Sequence, residues 1–153
     1  MNVGDVVDDF ELPDETGRTR TLGGLLEDGP VVLFFYPAAM TPGCTSEACH
    51  FRDLKGELAE VGAHPVGISG DDVAKQKEFA DKHDFGYPLL ADADGTVRAL
   101  FGVKRGVALA PTKRQTFVID TDRRVLEIVK SEIRMNVHAD KALAALRARS
   151  AKG

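Results

Sequence analysis

The alternation of apolar and polar positions along the chain predicts strands and helices in turn. Residues 31–36 form an unbroken run of β-branched and aromatic side chains, which is typical of a strand buried on both faces of a parallel sheet. We expect this run to be the central strand. Residues 64–69 predict a second strand, and Leu89-Leu90 predicts a short third one.

A helix is predicted directly after the central strand. Thr41 is a typical N-cap residue, and Pro42 suits the first helical position, where its missing N–H has no helical partner to lose. Apolar residues then recur at helical spacing from Phe51 onward. The pattern therefore predicts one helix from residue 42 to about residue 60.

The rest of the pattern completes an α/β domain. The further predicted elements are a hairpin of residues 10–12 and 19–22, a turn at Gly23-Gly24, a helix opened by Asp71-Asp72, a short helix 97–101, an antiparallel strand pair 116–119 and 125–129, and a closing helix 137–149. This order predicts a central mixed β-sheet flanked by helices, with an N-terminal β-hairpin, which is the outline of a thioredoxin-like fold. No repeat or linker divides the chain, so residues 1–153 are predicted to form a single domain.

Composition and charge limit the partners. With 43% hydrophobic and 29% charged residues, the 153-residue chain has the composition of an ordinary globular domain. A net charge of -4 argues against a nucleic-acid or membrane partner, because either would favour a basic face. Residues 1–10 include acidic side chains and no basic one, so they do not resemble a secretion signal. We expect a cytoplasmic monomer.

The two cysteines carry the candidate chemistry. In a reducing compartment such a pair is more often catalytic or metal-binding than a structural crosslink. Cys44 falls in the first turn of the predicted helix, where free backbone N–H groups and the helix dipole stabilise a thiolate, the nucleophilic form. Attack by this thiolate on a substrate needs donors for the negative charge that develops on the leaving group. Thr41, Arg114 and the N–H groups of Gly43 and Cys44 are the candidates.

The segment around Cys44 carries a resemblance to a known family. The spacing Pro37-x-x-x-Thr41-x-x-Cys44 resembles the signature of the peroxiredoxins. Residues 41–45, 47–49 and 51–53 resemble the PrxQ subfamily, also called bacterioferritin comigratory proteins. Blocks at residues 86–92, 101–103 and 114–120 extend the resemblance over nearly the whole chain.

The resemblance implies a thiol-dependent peroxidase that reduces hydrogen peroxide and organic hydroperoxides to water and alcohols. It implies these roles: peroxidatic cysteine for Cys44, resolving cysteine for Cys49, active-site arginine for Arg114, orientation of the peroxide for Thr41, shielding of the site for Pro37, and holding of the arginine for Glu47. The peroxidatic cysteine becomes a sulfenic acid, which then condenses with the resolving thiol to a disulfide. Thioredoxin or a similar thiol reductant is the implied partner, and we expect no cofactor or metal.

Helix geometry places a condition on the disulfide. Five residues of a regular helix separate two Cα atoms by roughly 8 to 9 Å, which exceeds the ~7 Å limit for a disulfide. Cys44 and Cys49 therefore cannot be bridged while their helix is intact. We expect its first turns to unwind on oxidation.

One stretch departs from the subfamily pattern. Relatives typically have charged or amide residues between the proline and the threonine, where this chain has Ala38-Ala39-Met40. An apolar rim there would favour bulkier organic hydroperoxides or a different reductant surface. Neutral change on a loop is the other interpretation.

Other interpretations of the same residues remain open. Cys44, Cys49 and His50 are a weak metal-site candidate, because their spacing lacks paired ligand units. A dithiol–disulfide oxidoreductase would need a CxxC pair, which is missing. A non-catalytic binding module would leave the set of Cys44, Thr41 and Arg114 without a role. The remaining histidines are predicted to be surface or strand-edge residues: His64, His83 and His138.

Overall fold

The computed structural model describes residues 1–104, 112–132 and 134–152 of the chain. In that part of the chain the elements follow in this order: β1 (Glu11–Pro13), β2 (Thr19–Thr21), α1 (Leu22–Leu26), β3 (Val31–Phe35), α2 (Pro42–Asp53), α3 (Lys55–Glu60), β4 (His64–Ser69), α4 (Val73–His83), β5 (Leu89–Ala91), α5 (Thr96–Leu100), β6 (Gln115–Ile119), β7 (Val125–Lys130) and α6 (Asn136–Lys152).

The main sheet is mixed and has β3 at its centre. Its strand order is β5-β4-β3-β6-β7. Strand β3 runs parallel to β4 and antiparallel to β6, and β7 pairs antiparallel with β6. Strands β1 and β2 form a separate antiparallel hairpin. The predicted mixed sheet, its central strand and the N-terminal hairpin are confirmed.

Two hydrophobic clusters cover the two faces of this sheet. Successive side chains of a strand point to opposite faces, so Phe34 and Tyr36 join one cluster while Phe35 joins the other. The first cluster also holds Phe51 of α2, whose ring stacks on Phe34 with a centroid distance of 4.2 Å. Cys44 belongs to this same cluster. The helix that carries the cysteines is therefore held on the face of the central strand by aromatic packing.

The structure corrects two predicted elements. The single helix predicted for residues 42 to about 60 is two helices, because Leu54 adopts φ -92° and ψ 3° and interrupts the helical backbone. The turn predicted at Gly23-Gly24 is the short helix α1. Its N-cap is Thr21, whose side chain accepts a hydrogen bond from the Gly24 N–H, and its leucines are buried against the core.

The C-terminal helix α6 packs on α2 and on the β6–β7 pair. Its N-terminal end lies beside the helix that contains both cysteines, since His138 and Asp140 contact side chains of α2. Among the described residues, the helices are all too short or too polar to cross a bilayer.

Candidate active site

The loop between β3 and α2 holds a constrained backbone. Met40 has φ 69°, a left-handed conformation that is uncommon for a residue with a side chain and is enriched at functional sites. The Ala39 N–H donates to a carboxylate oxygen of Asp71 over 2.7 Å, and Ser69 donates to the same oxygen over 2.6 Å. These hydrogen bonds tie Ala39, which is two positions before the N-cap residue Thr41, to the end of β4.

Thr41 occupies the predicted N-cap of α2 but does not cap it with its side chain. Its hydroxyl donates to the carbonyl oxygen of Ala38 over 2.7 Å, and no side-chain hydrogen bond to the helix is formed. The side chain is exposed. With its proton committed to Ala38, the Thr41 oxygen keeps its acceptor capacity on the open side of the loop.

Cys44 lies in the first turn of α2 and is almost fully buried, with 1% of its surface exposed. The backbone hydrogen bond from Thr45 N to Thr41 O begins the helix, so the N–H groups of Gly43 and Cys44 precede it. These N–H groups and the positive end of the helix dipole lie beside the sulfur. A negative charge on Cys44 is stabilised by this position.

Arg114 bridges Cys44 and Glu47. Its Nη2 atom lies 3.2 Å from the Cys44 sulfur, and its Nη1 atom donates to Glu47 Oε1 over 2.9 Å. Both side chains are buried, since Arg114 is 6% exposed and Glu47 is 0% exposed. One guanidinium therefore contacts both the candidate nucleophile and a carboxyl group.

Burial and the neighbouring groups together determine the protonation of this cluster. Burial raises the pKa of Glu47 to about 8, against the opposing effects of the nearby Arg114 charge and hydrogen bond. Burial acts to lower the pKa of Arg114, but the adjacent Glu47 and Cys44 outweigh it, so the pKa rises and the guanidinium stays cationic. A neutral Glu47 leaves the charge of Arg114 available to a thiolate on Cys44.

The predicted site residues are only partly brought together. Cys44, Glu47 and Arg114 are in contact, and Thr41 lies one turn before Cys44. Pro37 is half-buried in the loop after β3. Cys49 is half-buried further along α2, and both cysteines are free thiols. The fold thus shows the helix intact with the two sulfurs unbridged.

The prediction that His138 is a surface or strand-edge residue is wrong. Its side chain is 0% exposed, and its Nε2 atom lies 3.6 Å from Glu47 Oε2. The ring also contacts Thr116 of β6 and the carbonyl of Ser131. Nothing in the local sequence indicated this, because the burial comes from the packing of α6 on the sheet.

Two further residues near the site were missed by sequence reasoning. The thioether of Met135 lies against Gly43, with Cε and Sδ each 3.8 Å from where a Cβ on that glycine would be. The hydroxyl of Tyr87 donates to the carbonyl oxygen of Ala48, in the middle of α2, over 2.6 Å. Tyr87 falls in one of the family-like blocks, but its contact with α2 depends on the tertiary fold.

The alternative of a metal site gains no support from the geometry. Within residues 1–104, 112–132 and 134–152, no three His, Cys, Asp or Glu side chains are grouped as metal ligands would be. His50 instead pairs with Asp140 of α6, with 2.8 Å between Nε2 and Oδ1.

Comparison with known proteins identifies relatives over almost the full chain. A sequence model of the AhpC/TSA family matches residues 3–128, which include Cys44, Glu47 and Arg114. The peroxidoxin BcpB from Mycobacterium tuberculosis is 67% identical in sequence to this chain. Its crystal structure matches the present fold with a TM-score of 0.94, and the match covers 97% of this chain and 97% of that chain.

More distant relatives agree with this assignment. The chloroplastic peroxiredoxin Q of Arabidopsis thaliana is 40% identical over 148 residues, which are 97% of this chain and 68% of that protein. A structure of the Xanthomonas campestris bacterioferritin comigratory protein, studied for alkyl peroxide reduction, is 30% identical with a TM-score of 0.84, covering 92% of each chain. The predicted thioredoxin-like fold and the predicted resemblance to PrxQ are confirmed.

Proposed function

The chain belongs to the AhpC/TSA family and is a peroxidase of the peroxiredoxin class, and from this premise we propose that Cys44 is its peroxidatic cysteine. The observation that supports the assignment is the 3.2 Å contact between Arg114 Nη2 and the Cys44 sulfur. A cation at that distance stabilises the thiolate, and it also stabilises the negative charge that develops on the leaving oxygen.

The proposed first step is oxygen transfer to sulfur. The Cys44 thiolate attacks the terminal oxygen of a hydroperoxide, a sulfur–oxygen bond forms and the O–O bond breaks. Cys44 is oxidised to a sulfenic acid, and the alkoxide or hydroxide that leaves takes up a proton to become an alcohol or water. Thr41 is proposed to orient the peroxide with its exposed hydroxyl, and Pro37 to shield the reacting sulfur.

The proposed second step uses Cys49 as the resolving thiol. Its sulfur displaces hydroxide from the Cys44 sulfenic acid, so that a disulfide forms and water is released. Both cysteines lie in α2, where helix geometry keeps them too far apart to be joined. The step therefore requires the first turns of α2 to unwind, which would also expose the disulfide to a reductant.

Thioredoxin, or a thiol reductant of the same chemistry, is the proposed partner that returns both cysteines to thiols. We also propose that the enzyme acts in the cytoplasm as a monomer, without a cofactor. The acidic net charge of -4 supports the absence of a nucleic-acid partner.

Both hydrogen peroxide and organic hydroperoxides are proposed substrates. Two apolar side chains lie near the start of α2, with Met40 packed against the core and Met135 lying against Gly43. Such surroundings suit an alkyl chain. The structural relative from Xanthomonas campestris, which is described for alkyl peroxide reduction, agrees with this proposal.

A peroxidase assay with single-cysteine variants tests the function. Peroxide loss is followed with hydrogen peroxide and with cumene and lipid hydroperoxides, each with thioredoxin, glutaredoxin or dithiothreitol as reductant. We expect no turnover for Cys44→Ser. For Cys49→Ser we expect one stoichiometric oxidation and loss of recycling by thioredoxin.

Ser46→Ala is the matched control, because Ser46 is an exposed residue of the same helix. It should retain wild-type turnover. Full peroxidase activity in Cys44→Ser would contradict the proposal, as would thioredoxin-linked cycling in Cys49→Ser.

A further inference from the structure

The imidazole ring of His138 is completely buried at a junction of the elements that build the site. His138 belongs to the first turn of α6. Its Nδ1 atom lies 2.8 Å from the hydroxyl of Thr116 in β6, and its Nε2 atom lies 2.8 Å from the carbonyl oxygen of Ser131, just after β7. The third neighbour is Glu47 of α2, whose Oε2 atom is 3.6 Å from Nε2. A single ring on the C-terminal helix α6 thus contacts both the sheet and the helix that carries the cysteines.

The hydrogen bonds determine which ring nitrogen carries the proton. A carbonyl oxygen can only accept, so the Nε2 atom of His138 donates to Ser131. In the neutral ring Nδ1 then accepts from the Thr116 hydroxyl. The same Nε2 atom lies 3.6 Å from Glu47 Oε2, an oxygen that is buried and has no hydrogen-bond partner among the described residues.

The same carboxyl group holds the arginine. Glu47 Oε1 accepts from Arg114 Nη1, and Arg114 Nη2 contacts the Cys44 sulfur. Thr116 belongs to β6, and Arg114 is the residue directly before that strand. His138 therefore restrains both supports of the guanidinium, namely the carboxyl group on α2 and the strand that follows Arg114.

The charges around the ring agree with a neutral imidazole. Burial lowers the pKa of His138, the hydrogen bond to Ser131 raises it, Arg114 lowers it and Glu132 raises it, with a net lowering. Glu47, which faces the ring from α2, itself has its pKa raised by burial. A neutral ring keeps Arg114 as the cation of this buried cluster.

We propose that His138 is a positioning residue of the peroxidase reaction, which acts through Glu47 and Thr116 to hold the Arg114 guanidinium against the Cys44 sulfur. The ring does not touch the peroxide. Its effect is on the placement of the cation that meets the developing negative charge, and a displacement of about 1 Å in such a group lowers a rate by up to roughly a hundredfold. The inference rests on the proposed role of Cys44.

The test compares two substitutions at this position. His138→Leu fills the space without a donor or acceptor, whereas His138→Gln places an amide N–H close to the position of Nε2. The second-order rate constant for oxidation of Cys44 is measured by rapid quench and mass spectrometry, with hydrogen peroxide as the probe. We expect His138→Leu to lose at least about tenfold and His138→Gln to stay within about threefold of wild type.

A second variant and a control separate positioning from stability. Thr116→Val removes only the hydroxyl bound to Nδ1 and should also slow the oxidation, which keeps the test valid if His138→Leu does not fold. Leu146→Ala empties a buried position about two turns after His138 in the same helix. It should lower the melting temperature and leave the rate constant of the folded protein unchanged.

The outcomes are distinct. An unchanged rate constant in folded His138→Leu, or, where that variant does not fold, in Thr116→Val, would overturn the proposal. So would a loss in Leu146→Ala as large as that in the His138 variant. An inactive wild-type protein, or an active Cys44→Ser variant, would instead count against the proposed function itself.

Discussion

Arg114 and Cys44 are separated by 70 positions in the sequence, yet the guanidinium Nη2 atom lies 3.2 Å from the sulfur. The contact is buried, so water screens it little. The Nη1 atom of Arg114 donates a hydrogen bond to Glu47, and this second contact limits the rotation of the guanidinium. The pair joins the start of α2 to the start of β6 and brings a fixed positive charge to the reactive thiol.

Replacing Arg114 by lysine tests this contact. A lysine keeps the positive charge but presents a single ammonium group, which cannot bind Cys44 and Glu47 in the same two-pronged way. We expect the rate constant for oxidation of Cys44 by hydrogen peroxide to fall by about 10² to 10³, the usual cost of losing a transition-state donor. Arg18→Lys, at an exposed position, is the control and should match wild type. Equal rate constants in Arg114→Lys and Arg18→Lys would show that the Arg114 guanidinium does not contribute to the oxidation of Cys44.

The buried carboxyl group of Glu47 predicts a pH-dependent stability. Burial raises the pKa of Glu47 in the folded protein to about 8, above its ordinary value of 4.5. The folded state therefore binds more protons than the unfolded state between these values, and ionisation of Glu47 destabilises the fold as the pH rises through this window.

Glu47→Gln removes this ionisation and keeps an acceptor for Arg114. We expect the free energy of unfolding of the variant minus that of wild type to increase steadily as the pH rises from about 5 to about 8, because only wild type loses stability when Glu47 ionises. Urea unfolding at several pH values measures it, with the exposed Glu60→Gln as the control. A difference that does not change with pH would mean that Glu47 is not protonated in this range.

Unwinding of α2 is predicted to accompany disulfide formation. In the thiol form the helix is continuous from Pro42 to Asp53, and Tyr87 supports it through the Ala48 carbonyl. Hydrogen exchange of the amides of residues 41–51 should be clearly faster in the oxidised protein, because the helical hydrogen bonds between the cysteines are lost. Helix α4 (Val73–His83) is the internal control and should be protected equally in both forms. Equal protection of residues 41–51 in the two redox forms would rule out the unwinding.

The contact between His50 and Asp140 is predicted to slow this unwinding slightly. It joins the residue after Cys49 to α6, with 2.8 Å between Nε2 and Oδ1, and is partly exposed. Exposed pairs contribute at most about 1 kcal/mol, so Asp140→Asn should speed disulfide formation by no more than about fivefold. Quenched alkylation followed by mass spectrometry measures the rate. The control is Asp81→Asn, which breaks a comparable pair on α4 and should have no effect; a slower rate in Asp140→Asn would contradict the prediction.

The prediction from sequence was strongest where a pattern depends on neighbouring residues. The apolar run of Val31–Phe35, the strand His64–Ser69 and the N-cap at Asp72 all form as expected. It was weaker at the break between α2 and α3, where the backbone of Leu54 interrupts the predicted long helix. It was weakest where a side chain meets residues far away in the chain: His138 is in the core although Asn136 and Asp140, two positions to either side, are exposed.

The sequence by itself therefore determined the order of strands and helices, the family, and the position of Cys44 at a helix start, because periodicity, capping and spacing are local properties of the chain. The tertiary structure alone decided how α2, β6 and α6 meet. Only that packing brings Arg114 to the sulfur, encloses Glu47 so that its pKa rises, and places the ring of His138 beside it. The physical reason is that desolvation and hydrogen bonding depend on which distant groups share a buried site, and no short stretch of sequence records that.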